Sequence, residues 1–288
     1  MKQDKAQLSE DRHLAHDTPT AAVIDIGSNS IRLVVYRRDG NYPFPFFNER
    51  ITCELARGLD IRGELDPERI DVALQVLARF GKLLDALKPT YVKIAATAAV
   101  RRAKNGDKFL KPATKILGYP VEILPASEEA RLVTLGLTRN MPIINGLVVD
   151  LGGGSIELVL VKDSQVQDYV SLNIGHLSSL SKKEIKAQVK AVGFLSAAKG
   201  QMLYGIGGSF RAVGSAFISR SNYPLFLLHG LVIPPAQSKG LLKSLTAEEP
   251  DLDGVPAGRQ KTIMMAAQII KIVKKTARTE DLFISGTS

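Results

Sequence analysis

The sequence predicts an α/β fold in two lobes, and three observations carry that prediction. Residues 21–36 align without a gap on residues 146–161, so that Asp25, Gly27, Ser30, Ile31 and Leu33 fall on Asp150, Gly152, Ser155, Ile156 and Leu158. Each copy is a pair of β-branched, apolar runs around a glycine-containing turn, and helical periodicities appear only further along the chain. The offset of 125 residues is far too long for a solenoid repeat, and 288 residues suit one large or two ordinary domains. The expected division is a flexible tail at 1–20, a first lobe at 21–140 and a second at 141–288.

Residues 1–20 hold few large apolar side chains, and the fold begins at Ala21, where an apolar run starts. Strands are expected at 21–26, 31–37 and near 50–56. A long helix follows at 66–88. Asp66 offers an N-cap oxygen, Pro67 suits the first helical position, and Val72, Val76, Leu77, Phe80, Leu84 and Leu87 give an apolar face. A strand at 91–96 leads to a short helix bearing Arg101 and Arg102, then a helix at about 107–117 stopped by Gly118, a strand at 121–124 and a helix capped by Ser127. Residues 141–145 read as a connection, because Pro142 disfavours helix in the residue before it. After its own strand, turn and strand, the second lobe continues with a strand at 165–172, a helix at about 181–198, a strand at 202–206, a glycine-rich turn and a helix at 210–219. A last helix at about 259–276 and a strand at 282–285 complete it, the closing segment being able to pack back on the first lobe.

With 38 Lys and Arg against 29 Asp and Glu, the chain has a formal charge of +9. That surplus suits a polyanion but does not choose among nucleic acid, anionic lipid and a phosphorylated metabolite. Hydrophobic content of 45% and charged content of 23% exclude wholesale disorder and fibrous repeats. The single cysteine, Cys53, cannot form an internal disulfide, and His13, His16, His176 and His229 have no zinc-ligand spacing, so a reduced, cytoplasmic protein is expected. No apolar signal core opens the chain, and the apolar stretch at 263–273 is interrupted by Gln268 and Lys271 and is too short to span a bilayer.

The turn at Gly27, Ser28, Asn29 and Ser30 superficially resembles a dinucleotide loop, yet a strand-type run follows it where that loop would open a helix. The turns at 27–30 and at Gly152, Gly153, Gly154 and Ser155 are therefore hairpin tips, where glycine permits positive φ and N–H groups can converge on an anion. Gly207, Gly208 and Ser209 precede a helix, whose N-terminus can also take phosphate. Any one of these reads equally as a plain turn. Asp25 and Asp150, each just before a tip, and Glu157 on the return strand are candidate ligands for a hard divalent cation, although Glu157 also suits a solvated hairpin face. Glu128 and Glu129 fall in the first turn of a helix, where the macrodipole favours their ionised form and one could act as a general base; capping chemistry alone explains them as well. Arg101 suits bidentate phosphate binding, or a helix C-terminus.

Taken together, Asp25-x-Gly-Ser-Asn-Ser30, Ala96-Thr-Ala-Ala-x-Arg101, Glu128-Glu-Ala-Arg131, Asp150-x-Gly-Gly-Gly-Ser155-x-Glu157 and Gly207-Gly-Ser209 resemble the exopolyphosphatase/guanosine pentaphosphate phosphohydrolase family. This is a branch of the actin-like, sugar-kinase and heat-shock ATPase superfamily, and the resemblance covers roughly 21–287. It implies two ribonuclease-H-like lobes with the active site in the cleft between them. It implies Glu129 as the catalytic glutamate, Asp150 and Glu157 at magnesium with Asp25 nearby, and phosphate on Arg101 and the three turns; Glu128 is structural. Magnesium is the implied cofactor, with a monovalent cation as a further candidate. The implied substrate is inorganic polyphosphate or guanosine pentaphosphate, with neither nucleic acid nor membrane as partner and a homodimer as one option. Pro125-Ala126 departs from the Ser-Gly of many members, and the chain ends where they continue through an Arg-Glu-Gly stretch and, in long members, a helical domain. No such domain is expected within these 288 residues, by nature or by truncation. Two rivals share the glycine hairpins: an ATP-dependent small-molecule kinase and a non-catalytic sensor of nucleotide or polyphosphate. Lys182, Lys183, Lys186 and Lys190 suit a track for a long chain but read first as a solvated helix face.

Overall fold

The computed structural model describes residues 19–40, 42–139, 141 and 143–286. The expected tail falls almost wholly on 1–18, outside the described residues, and Thr20 already opens the first strand.

The first sheet holds β1 (Thr20–Ile26), β2 (Ser30–Asp39), β3 (Tyr42–Thr52), β4 (Tyr91–Ala96) and β5 (Glu122–Ile123), in the spatial order β3-β2-β1-β4-β5. β1, β2 and β3 form an antiparallel meander, and β4 and β5 run parallel to β1. The strand expected near 50–56 begins earlier, at Tyr42. Pro43 and Pro45 argue against a ladder strand, but β3 is an edge, where an absent N–H is tolerated. On one face lie α1 (Leu59–Arg62), α2 (Pro67–Leu87), α3 (Ala98–Arg102) and α4 (Gly106–Leu117). Ile24, Leu33, Leu77, Phe80, Ile94 and Phe109 close this core completely or nearly so. Asp66 caps α2 as its sequence suggests, accepting from the Glu68 N–H at 2.9 Å.

The second sheet repeats the plan. It holds β6 (Gly146–Leu151), β7 (Ile156–Lys162), β8 (Gln165–Leu172), β9 (Met202–Ile206), β10 (Leu231–Ile233) and β11 (Leu282–Ile284), ordered β10-β11-β9-β6-β7-β8. Read from β8 to β11 this is again third, second, first, fourth and fifth strand, with the same senses, and β10 adds an antiparallel edge. The closing segment therefore does not return to the first lobe: β11 is the fifth strand of the second sheet. Leu282 and Ile284 are buried in that lobe's core, and Phe283 on the sheet's other face.

Two expected helices differ. The helix expected at 181–198 stops after α6 (Lys182–Lys190); Gly193, a poor helix former, opens a separate 3-10 turn at Gly193–Ala198. The helix α5 (Ala126–Thr138) falls in the first lobe by sequence, yet its Ala130 and Leu137 pack with Val148, Val159 and Tyr204 on the second sheet. The second sheet is thus covered on both faces, by α5 on one and by α6, α7 (Gly208–Arg220), α8 (Pro235–Ser244) and α9 (Gln260–Ala277) on the other. Among the described residues no helix is long and apolar enough to cross a membrane.

Candidate active site

Strand register brings the first charges together. Asp25 pairs with Arg32 across β1 and β2, and Arg32 with Arg50 across β2 and β3. The equivalent row in the second sheet is Asp150, Glu157 and Ser171. Cross-strand neighbours share a face, so the repeated hairpin offers one aspartate from each lobe and then diverges, to arginines in the first lobe and to a glutamate and a serine in the second. Both tips close alike: the Gly27 N–H donates to the Ser30 carbonyl at 3.1 Å and the Gly152 N–H to the Ser155 carbonyl at 3.0 Å.

Neither tip uses left-handed backbone; Gly27, Gly152, Gly153 and Gly154 all lack positive φ, contrary to the sequence reading. Proximity requires the second pair. A Cβ on Gly153 would lie 2.9 Å from the Asn29 Cβ, and one on Gly154 would lie 3.0 Å from the Ser28 Oγ. The two tips touch, and only glycine allows it.

Between them lies a cavity of about 150 Å³. Asp25, Asp150, Glu157 and Glu129 line it together with Arg32, Arg50, Arg211 and Arg259, along with Gly27 to Ser30, Gly152, Gly153, Ser155, Gly207 and Gly208. Asp25 faces the cavity, and the surrounding walls withhold the hydration that bulk solvent would give. Enclosure, then the Glu129 charge, push its pKa up to about 6 against the pull of Arg50 and Arg32. Asp150 is raised to about 6 by enclosure, Asp25 and Glu129, and buried Glu157 to about 8 by burial, Asp150 and Glu129. The Ser171 hydroxyl, donating to Glu157 Oε1 at 3.0 Å, opposes that rise. The guanidinium groups behave in mirror image. Desolvation and mutual repulsion lower the pKa values of Arg50 and Arg211 and bring Arg259 down to about 10. The carboxylates favour a cation and the guanidinium groups an anion, side by side in one cavity.

Glu129 reaches this cavity from α5, the helix that leaves the first lobe and packs on the second. The helix starts one residue before its expected cap: Pro125 is the N-cap, and the Glu128 and Glu129 N–H groups donate to its carbonyl. Burial raises the Glu129 pKa while Arg101 opposes the rise. Arg101 itself does not line the cavity. Its Nη1 lies 2.5 Å from Glu129 Oε2 and donates to the Leu124 carbonyl at 2.6 Å, so this arginine orients a carboxylate where the sequence suggested phosphate. Arg102 donates to the Gly154 carbonyl at 3.0 Å, and Gly154 does not line the cavity. Glu128 does not line the cavity and pairs with Arg131 at 2.8 Å on the exposed side of the helix.

The third turn does need left-handed backbone. Gly207 has φ of 91°, and a Cβ there would lie 2.8 Å from Asp150 Oδ1. No side chain caps α7, whose N-cap, Gly207, and first residue, Gly208, face the cavity. Ser209 is buried behind them, 3.2 Å from His176 Nδ1, while His176 Nε2 lies 3.4 Å from Arg259 Nη1. Burial, Arg259 and Arg50 hold His176 down at about 4, so the ring is neutral. A neutral ring accepts from Arg259 and donates to Ser209, whose hydroxyl donates to the Leu151 carbonyl at 3.4 Å. Arg211 has no such support: its Nη1 is buried without a partner.

Arg50, His176, Arg211 and Arg259 carry no local motif. Arg32 alone falls within the repeated hairpin, where the gap-free alignment of residues 21–36 on 146–161 sets it against Glu157. Among the described residues no group of three His, Cys, Asp or Glu side chains is gathered closely enough to hold a metal. The donors nonetheless fit magnesium, which commonly takes one or two carboxylates and completes its shell with substrate phosphate and water.

The family whose sequence pattern matches residues 33–288 is described as the Ppx/GppA phosphatase family. Among solved structures the chain is similar to the Ppx/GppA enzyme of Aquifex aeolicus, at 26% identity and a TM-score of 0.74, with 94% of this chain and 96% of that one covered. It is also similar to an exopolyphosphatase from Cytophaga hutchinsonii, at 21% identity and a TM-score of 0.81 over 93% and 94% of the two chains. The second likeness carries the fold alone.

Proposed function

The chain belongs to the Ppx/GppA phosphatase family, and from that premise we propose that it hydrolyses the terminal phosphoanhydride of inorganic polyphosphate, guanosine pentaphosphate or both. The observation that carries the reading is the cavity between the hairpin tips, with Asp25, Asp150, Glu157 and Glu129 set beside Arg32, Arg50, Arg211 and Arg259. At about 150 Å³ it has room for a phosphate end and leaves the rest of the substrate outside, which favours removal of a terminal group.

Glu129 is the general base. Its Oε2 is held by Arg101, leaving Oε1 for a water molecule. As the water oxygen bonds to the terminal phosphorus, Glu129 takes the water proton. The anhydride P–O bond breaks, and its electron pair stays on the bridging oxygen of the shortened chain. Guanidinium forks on Arg50, Arg211 and Arg259 match phosphate oxygens and steady the charge spread over the transferring group. Magnesium, when held by Asp150 and Glu157 with Asp25 beside them, would neutralise phosphate charge.

Phosphate release from long polyphosphate, short polyphosphate and guanosine pentaphosphate, measured side by side with and without magnesium, tests the reading. Glu129→Gln should lower turnover by roughly 10²- to 10⁴-fold, with binding almost unchanged. Unaltered turnover in that variant removes Glu129 from the role, and no release from any of the three substrates rejects the function.

A further inference from the structure

A second cavity, away from the tips, is lined only by cationic, polar and aliphatic residues. Lys182, Lys186 and Lys190 recur every four residues along one face of α6, while Lys271, Lys275 and Arg278 line the facing part of α9 and its C-cap. The groove between them is about 520 Å³, and no carboxylate or aromatic side chain lines it. Among the described residues none of these six groups has an ion-pair partner; Lys271 donates to Thr246 Oγ1 at 3.2 Å. The acid within α6, Glu184, is committed to Ser181 in a capping box. Like charges four residues apart destabilise a helix. Two such rows facing each other make a worse arrangement still, unless an anion lies between them.

We infer that this groove binds the linear phosphate chain of inorganic polyphosphate, gripping it far from its reacting end. α9 connects the two places: Arg259, just before it, lines the catalytic cavity, and Lys271 lies twelve residues on, roughly 18 Å at the helical rise. The chemistry selects the occupant. A single-stranded nucleic acid binds through aromatic stacking platforms, and the groove has none. A membrane surface calls for an exposed apolar anchor, whereas Ile272, the apolar lining residue, is buried. Lysine ammoniums on flexible stems instead suit a uniform chain of charges with no fixed register. The choice of polymer rests on the functional reading above.

The test compares the full chain with a K186S/K190S/K271S/K275S variant, each also carrying Glu129→Gln for binding measurements. Long-chain polyphosphate should bind at least tenfold more weakly to the variant, and the slope of log affinity against log salt should fall by about one per lysine removed. Tripolyphosphate, too short to reach the groove, should bind both equally, and with Glu129 restored its turnover should not change. Melting at or above the parent temperature would show the variant folded. Equal long-chain affinity and salt slope, or an equal loss for tripolyphosphate, overturns the inference, as does displacement of long polyphosphate from the groove by poly(U) or phosphatidylglycerol vesicles at lower phosphate concentration. Lysine-dependent binding of long polyphosphate without phosphate release would sustain the groove and defeat the functional reading; release with the same KM in both proteins would do the reverse.

Discussion

Arg211 holds a charge that the described side chains around it do not satisfy. Its Nη1 is buried without a partner, and desolvation, Arg50 and Arg32 all depress its pKa. Replacing it as Arg211→Met removes an unsatisfied donor and a like charge together. The free protein should then melt at the same temperature or higher, while KM rises tenfold or more, equivalent to about 1.4 kcal/mol. A lower melting temperature with KM unchanged would make Arg211 structural. His176 supplies a pH-dependent counterpart. Folded, its pKa is held at about 4, against about 6.5 for an unfolded histidine. Within that window the unfolded chain binds a proton that the folded chain excludes. Its contribution to stability is therefore complete above about pH 6.5 and shrinks as pH falls toward 4, by about 1.4 kcal/mol per unit. Urea unfolding of His176→Gln should show a flatter acid limb than the parent; identical limbs would remove His176 from the account.

The elements that matter most are turns and one helix. Gly207 combines φ of 91° with a Cβ position 2.8 Å from Asp150 Oδ1. Gly207→Ala should cost about 1–3 kcal/mol in strain and also displace the Asp150 carboxylate, so urea midpoint and turnover fall together; a loss of stability with full turnover would separate the turn from the site. That glycine was visible in the sequence, and so were Asp150 and the tips. The helix α5 was only half visible. Its apolar positions announce a helix but not which sheet receives them, and Ala130 and Leu137 go to the second. Glu129 is consequently supplied by a helix anchored on the second lobe and oriented by Arg101 from the first.

For the whole molecule, the cleft depends on how the lobes are clasped. Besides the touching tips, Asp60 in α1 accepts from Ser179 N–H at 2.8 Å and its hydroxyl at 2.7 Å, and Arg102 binds the Gly154 carbonyl. These bonds cross between lobes close to the site and use no cavity-lining side chain. An Asp60→Ala/Arg102→Ala variant should lose about 1–3 kcal/mol of stability. It should scatter X-rays as a larger particle without ligand and raise KM more than it lowers turnover; an unchanged radius of gyration would show that the tips alone hold the cleft. The sequence by itself determined the two lobes, the hairpins that begin them, Asp25, Asp150, Glu157 and the helix bearing Glu129. The lobes showed through one hairpin pattern repeated 125 residues on, and hairpins and helices depend on neighbours a few residues apart, where backbone geometry and hydrophobic period act. Tertiary structure alone decided that Arg50, Arg211 and Arg259 join Arg32 at one cavity, that Arg101 orients Glu129, and that β11 completes the second sheet. An arginine facing solvent and one facing a cleft look alike in a sequence, because what separates them is the charge that a distant strand or helix brings alongside.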